Sequence, residues 1–281
     1  MKLIRFGEPS KEKPGIILNN DEIYDVSSFG EDYHEQFFET CGLDRLRKWI
    51  ELNGHQLKAI NMPVRLGPPV CRPSKIVCIG FNYKDHARET GRELPAEPVF
   101  FLKATSALAG PNDDIILPRS SVKTDWEVEL AVVVGKRASY ISIDDAMRYV
   151  AGYALFNDYS EREFQFDRGG QWVKGKSADT FGPLGPFLVP AEDIPDCHDL
   201  NMWLNVNGEK MQDSNTSNMH FNVPALISSV SQYMTLLPGD IISTGTPAGV
   251  GHGMDPPRYL KRGDTVEYGI EGLGSATQRI L

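Results

Sequence analysis

Apolar residues recur along this chain mostly at every second position or in short unbroken runs, which is strand spacing. "KLIRF" (2–6) reads as a short strand, and "GIILNNDEIYDV" (15–26) as a hairpin turning at Asn19-Asn20. "KIVCIG" (75–80), "VFFLKA" (99–104), "DIILP" (114–118), "WEVELAVVV" (126–134) and "YALFND" (153–158) are rich in β-branched and aromatic residues and predict further strands. "LNMWLNVNGEKMQ" (200–212) predicts a second hairpin, turning at Asn207-Gly208.

Helical spacing is rarer. Leu43, Leu46, Trp49 and Ile50 share one face of "GLDRLRKWIELNG", with Gly54 as its stop. "SIDDAMRYV" (142–150) carries Asp145 three residues after Ser142, close to a capping box. "NVPALISSVSQYMTLLPG" (222–239) opens on an Asn222 cap and closes at Pro238-Gly239. Four prolines between Pro63 and Pro73 exclude a helix or central strand there and predict a connector. Many strands, few helices and no βαβ alternation predict an α+β, mostly-β fold.

Composition narrows the class. At 281 residues, with 41% hydrophobic and 24% charged, the chain can bury a sizeable core. A net charge of −9 argues against nucleic acid or an anionic membrane as partner, while an anionic small molecule stays open because a bound cation reverses the field locally. Cys41, Cys71, Cys78 and Cys197 form no C-x-x-C pair, as expected of thiols in a reducing cytoplasm. The first fifteen residues carry charges throughout and no run approaches the roughly 20 apolar residues of a membrane span, so a cytoplasmic protein is expected.

"KTDWEVELAVVVG" (123–135) breaks the ordinary pattern. Asp125, Glu127 and Glu129 fall on one strand face, and Trp126, Val128 and Leu130 on the other. Three like charges in a row suit either a solvated, aggregation-blocking edge or a cation site. The continuous apolar run that follows suggests burial on both faces, where unpaired carboxylates need compensation. Oxygen-only ligands favour Mg²⁺ or Mn²⁺, with Ca²⁺ possible, and Asp158 at the end of "YALFND" could supply a third carboxylate.

Three other segments hold candidate chemistry. In "IGFNYKDHARETGRE" (79–93), His86 and Glu89 share one side of a helical turn, as a base with its orienting carboxylate or as a surface ion pair among solvated Lys84, Asp85, Arg88 and Arg92. Lys174 and Lys176 in "WVKGKSADTFGPLGP" (172–186) are solvated lysines on spacing alone. "STGTPAGVGHGM" (243–254) matches neither a P-loop nor a dinucleotide fingerprint, which leaves a turn with close backbone amides, structural or anion-holding.

Five of these stretches, in this order, resemble the fumarylacetoacetate hydrolase (FAH) family: "GFNYKDHARE", "DWEVEL", "NDYSEREFQ", "KSADTFGPLGP" and "TGTPAGVG". The resemblance implies a mixed β-sandwich roll over residues 71–281 and a small N-terminal α/β appendage over 1–70 that includes the Pro-rich connector. It implies a homodimer holding Mg²⁺ or Mn²⁺ on Glu127, Glu129 and Asp158. His86 and Glu89 then match a water-activating dyad, Lys176 a lysine assisting an enolate, and Gln165 and Thr246 substrate contacts. Asp125 is not one of the implied ligands. The implied activity is C–C bond hydrolysis of an anionic 2,4-diketo acid to pyruvate and a second acid. "EKPG", "FLKATSALAGPNDDI" and "RGGQWVKGKS" look most like members acting on 2,4-diketo-3-deoxy sugar acids such as the L-fuconate derivative, often labelled ureidoglycolate lyases. Acylpyruvate hydrolysis, oxaloacetate decarboxylation, hydroxy-dienoate isomerisation and a non-catalytic metal-stabilised binding module are the alternatives.

Overall fold

In a computed structural model of the chain, residues 1–18, 22–60, 63–91 and 93–281 are described. The predicted Asn19-Asn20 turn and Arg92 lie outside them. The two segments flanking that turn, Lys13–Ile17 and Ile23–Asp25, pair antiparallel. They belong to a five-stranded sheet built from residues 2–67, whose edge strand Leu66–Gly67 is formed by the Pro-rich stretch. An edge suits that stretch, because proline donates no ladder hydrogen bond.

The central sheet has six strands in the order Val189–Pro190, Val150–Asn157, Val128–Val134, Ile241–Ser243, Ile76–Gly80, Val99–Lys103. The acidic strand Val128–Val134 runs antiparallel to both neighbours, and Ile241–Ser243 pairs parallel with Ile76–Gly80. A second, antiparallel sheet of four strands orders Glu209–Asn215, Asn201–Val206, Thr265–Ile270 and Gly274–Arg279. Asn207 and Gly208, both at positive φ, form the predicted hairpin turn.

The acidic strand is buried on both sides, as its sequence suggested. Val128, Leu130 and Val132 pack with Leu204 and Tyr268 between the two sheets. Ala131 and Val133 face a second cluster that includes Leu3, Ile16, Phe37 and Ile241, so the N-terminal sheet covers the other face. Trp126, fully buried, anchors the strand's entry and donates from Nε1 to the Gly249 carbonyl at 3.0 Å.

Two predicted elements differ. Residues 114–118 make only an isolated bridge, Ile115 to Ile280, because Pro111 and Pro118 bracket a stretch too short for a ladder. Residues 142–150 form a single 3₁₀ turn, Ala146–Tyr149, although Ser142 Oγ does accept from the Asp145 amide at 3.2 Å. The next strand begins at once, at Val150. The helix Val223–Tyr233 starts on its Asn222 cap as expected and stops earlier than Pro238. Among the described residues no helix is long and apolar enough to cross a membrane.

Trp126→Ala is expected to lower stability by about 3–5 kcal/mol through cavity formation and the lost Gly249 hydrogen bond. Urea unfolding followed by circular dichroism reads the change.

Candidate active site

The acidic strand, the loop after Ile241–Ser243 and the helix Lys84–Thr90 all open onto one cavity of about 350 Å³. His86, Glu89, Glu127, Glu129, Gln165, Lys176 and Thr246 line it. Asp158 lies behind this lining, 1% exposed, hydrogen-bonded through Oδ2 to Lys176 Nζ at 2.9 Å. Tertiary structure therefore brings all eight candidate residues together.

Beneath the cavity, buried charges alternate in sign. Asp125 Oδ2 accepts from Arg162 at 2.9 and 2.7 Å, and Arg162 Nη2 lies 2.6 Å from Glu127 Oε1. Glu127 Oε2 accepts from Lys176 Nζ at 2.5 Å, Lys176 reaches Asp158, and Asp158 Oδ1 lies 2.7 Å from Lys103 Nζ. Glu129 has no ion pair among the described residues; its Oε2 accepts from Ser243 Oγ at 2.5 Å and the Gly245 amide at 2.9 Å.

Protonation follows from these neighbours. Burial and then the negative charges of Asp158 and Glu127 hold Glu129 well above the usual carboxylate range. Burial alone would also raise Glu127, yet Arg162 and Lys176 outweigh it and hold its carboxyl below that range. For Lys176, burial disfavours the ammonium, but Asp158 and Glu127 prevail and keep it a cation. Lys176 is thus suited to stabilise negative charge rather than to act as a base.

Donor chemistry fits a hard divalent cation. Glu127, Glu129 and Asp158 offer oxygens within 4.8 Å of one another, all buried. Among the described residues Asp158 Oδ1 receives no aligned hydrogen bond despite its closeness to Lys103, which leaves it a lone pair for an ion. Glu129 is the carboxylate in excess over the three cations, and a divalent ion would compensate it and leave the cluster positive toward an anionic ligand.

The opposite wall carries the base candidate. His86 Nδ1 lies 3.1 Å from Glu89 Oε2, and Glu89 Oε1 accepts from the Gly249 amide at 2.9 Å. Both residues line the cavity, with side chains 12% and 22% exposed. Asp85, expected to be solvated, instead accepts from Ser214 Oγ at 2.6 Å and pins the helix to the second sheet. The turn that presents Gly249 needs glycine, since φ is +98° and a Cβ would sit 1.9 Å from the Met211 carbonyl.

Gln165 Oε1 accepts from Arg162 Nη1 at 3.1 Å, and the Thr246 hydroxyl bridges Gln212 and the Val128 carbonyl at 2.8 and 3.0 Å. Asp125 is structural: besides Arg162 it accepts from the Gly251 and His252 amides at 2.8 and 3.0 Å, tying the acidic strand to the glycine loop. Lys174 is exposed and bonds the Arg168 carbonyl. Sequence reasoning did not single out Arg162, Lys103 or the aromatic wall centred on Trp172, whose ring centroid lies 5.3 Å from Phe81, 5.2 Å from Phe101 and 5.8 Å from Phe166. A lysine in an otherwise apolar strand, "VFFLKA", was the available signal for Lys103.

The model of the fumarylacetoacetate (FAA) hydrolase C-terminal family matches residues 75–281. This chain belongs to that family. A Burkholderia multivorans protein named "Putative hydrolase" is 50% identical over 279 residues, spanning 99% of this chain and 98% of its own. The fumarylacetoacetate hydrolase of psychrophilic Exiguobacterium antarcticum superposes with a TM-score of 0.86 at 33% identity, covering 100% and 99% of the two chains. Maleylpyruvate hydrolase of Sphingobium sp. SYK-6, solved with manganese(II) and pyruvate, gives 0.83 at 32% identity over 100% and 99%. The family and the relatives together support an enzyme of the hydrolase class on an FAH-type α+β scaffold.

Because the folded state raises the Glu129 pKa, its contribution to stability is complete below the unfolded value and is lost as pH rises through the folded one. In chelator the melting temperature is therefore expected to fall between weakly acid and neutral pH. Mn²⁺ or Mg²⁺ should restore it at neutral pH, and Glu129→Gln should abolish both effects.

Proposed function

We propose that this protein is a metal-dependent hydrolase that cleaves a C–C bond of a 2,4-diketo acid, releasing pyruvate and a second acid. The observation that carries this reading is a buried three-carboxylate cradle facing an oriented histidine across one small cavity. Support also comes from the manganese and pyruvate of the Sphingobium relative. Glu127, Glu129 and Asp158 are the proposed ligands of Mg²⁺ or Mn²⁺. A divalent ion held there supplies Lewis-acid stabilisation of enolate charge on a 2-oxo acid.

The chain's own groups perform the remaining steps. His86, its Nδ1 proton held by Glu89, takes a proton at Nε2 from a water that adds to the distal carbonyl carbon. The C–C bond breaks as that carbon becomes a carboxylic acid, and the electron pair passes to the pyruvate enolate. Lys176, a buried cation, stabilises the charge developing there. Return of the proton from His86 to the enolate carbon completes pyruvate. Gln165 and Thr246 are the proposed substrate contacts.

The stretches "FLKATSALAGPNDDI" and "RGGQWVKGKS" support a 2,4-diketo-3-deoxy sugar acid, such as the L-fuconate derivative, as the substrate. With that substrate the second product is lactate.

Pyruvate release from a panel of 2,4-diketo acids, with Mg²⁺ and with chelator, tests the activity. Metal-dependent release from at least one is expected, fastest with the sugar-acid derivative; release from none would overturn the reading. His86→Ala should keep Mg²⁺ affinity near wild type and lower kcat by about 10²–10⁴-fold, the usual share of a general base.

A further inference from the structure

The strand Val99–Lys103 sends alternate side chains to opposite faces, so Phe101 and Lys103 point inward while Leu102 is 43% exposed. Phe101 lies beneath Lys176, with Nζ 5.1 Å from its ring centroid. Lys103 goes deeper and is 2% exposed. Its stem passes Gly182, where a Cβ would come within 3.1 Å of Lys103 Cδ and the stem would have to give by a few tenths of an ångström.

The ammonium ends among main-chain carbonyls. It donates to Tyr159 O at 3.2 Å, to Phe181 O at 3.0 Å and to Lys176 O. Three N–H groups thus meet three carbonyls, the full donor capacity of a lysine. Asp158 Oδ1 sits 2.7 Å away with no aligned bond among the described residues, close enough for charge attraction but not capped by a proton. The three carbonyls belong to the residue after Asp158, to Lys176 itself, and to the loop that follows it.

We propose that Lys103 is a positioning residue of the active site: its ammonium fixes Asp158 and Lys176 relative to one another through the main chain, and balances Asp158 without occupying its outward lone pair. This rests on the reading of Glu127, Glu129 and Asp158 as cation ligands. Without the ammonium, three buried carbonyls lose their donor and Asp158 loses its nearest charge on that side.

Lys103→Met keeps the apolar stem of the side chain and removes the ammonium with its donors and charge. Mg²⁺ binding by calorimetry and kcat in the pyruvate assay are each expected to fall about 10–100-fold, the usual effect of disturbing groups behind a metal ligand, with KM little changed. Wild-type Mg²⁺ affinity and kcat beside a lowered melting temperature would reduce Lys103 to core packing and overturn the proposal. Tighter Mg²⁺ binding with unchanged kcat would overturn it too, since charge alone would then act.

Should the variant not fold, ¹⁵N-lysine-labelled wild-type protein decides. The slowly exchanging Lys103 ammonium resonance is expected to shift together with that of Lys176 on adding one equivalent of Mg²⁺. A Lys103 signal that stays put while Lys176 moves would end the proposal alone. Absence of any Mg²⁺ binding by the wild type would instead remove the ligand reading, and the proposal with it.

Discussion

Six buried charges alternating in sign, Asp125, Arg162, Glu127, Lys176, Asp158 and Lys103, hold the active-site floor together. Such a chain is weak as a source of net stability, because desolvating each ion offsets much of the attraction. Its value is geometric. The charges come from separate parts of the chain: Lys103 ends the edge strand, Glu127 precedes the acidic strand, Asp158 follows its neighbour and Lys176 ends the short helix Val173–Lys176. Displacing one link leaves an uncompensated buried charge on the next, so the positions are mutually enforced.

Glu129 stands apart from that chain, and this difference gives the site its chemistry. Burial, and then its neighbours of like sign, resist its ionisation, while Ser243 and Gly245 hold it in place. A cluster with one acid in excess attracts a cation. With a divalent ion added, the same cluster favours an anionic ligand. Across the cavity the His86–Glu89 pair depends on the glycine loop for orientation, and that loop in turn hangs on Asp125 and Trp126. The acidic strand therefore organises both walls: Glu127 and Glu129 line one, and Asp125 secures the loop that orients the other.

Most strands of the central sheet, both hairpin pairings, the Asn222-capped helix and the burial of the acidic strand were legible in alternation, turn residues and unbroken apolar runs, because these are local signals. Ordered motifs identified the family and the residues that line the cavity. The long-range partners were not legible. Strands 265–270 and 274–279 escaped notice because "TVEYGI" and "GSATQR" become strands only by pairing with each other and with residues 201–206. Residues 114–118 and 142–150 misled for the converse reason: local propensity had no neighbouring ladder or length of chain to propagate into.

By itself the amino-acid order pointed to the candidate residues and to the faces that must be buried, since residue type and periodicity are properties of neighbours in the chain. The resemblance had already set Asp125 apart from the ligand candidates, and only the tertiary structure showed what makes it a girder. Asp125, Glu127 and Glu129 share one strand pattern. Arg162, Lys176 and Ser243 approach them from 37, 49 and 114 residues away and give each a different electrostatic environment. Charge interactions act through space, and no spacing along the chain encodes them.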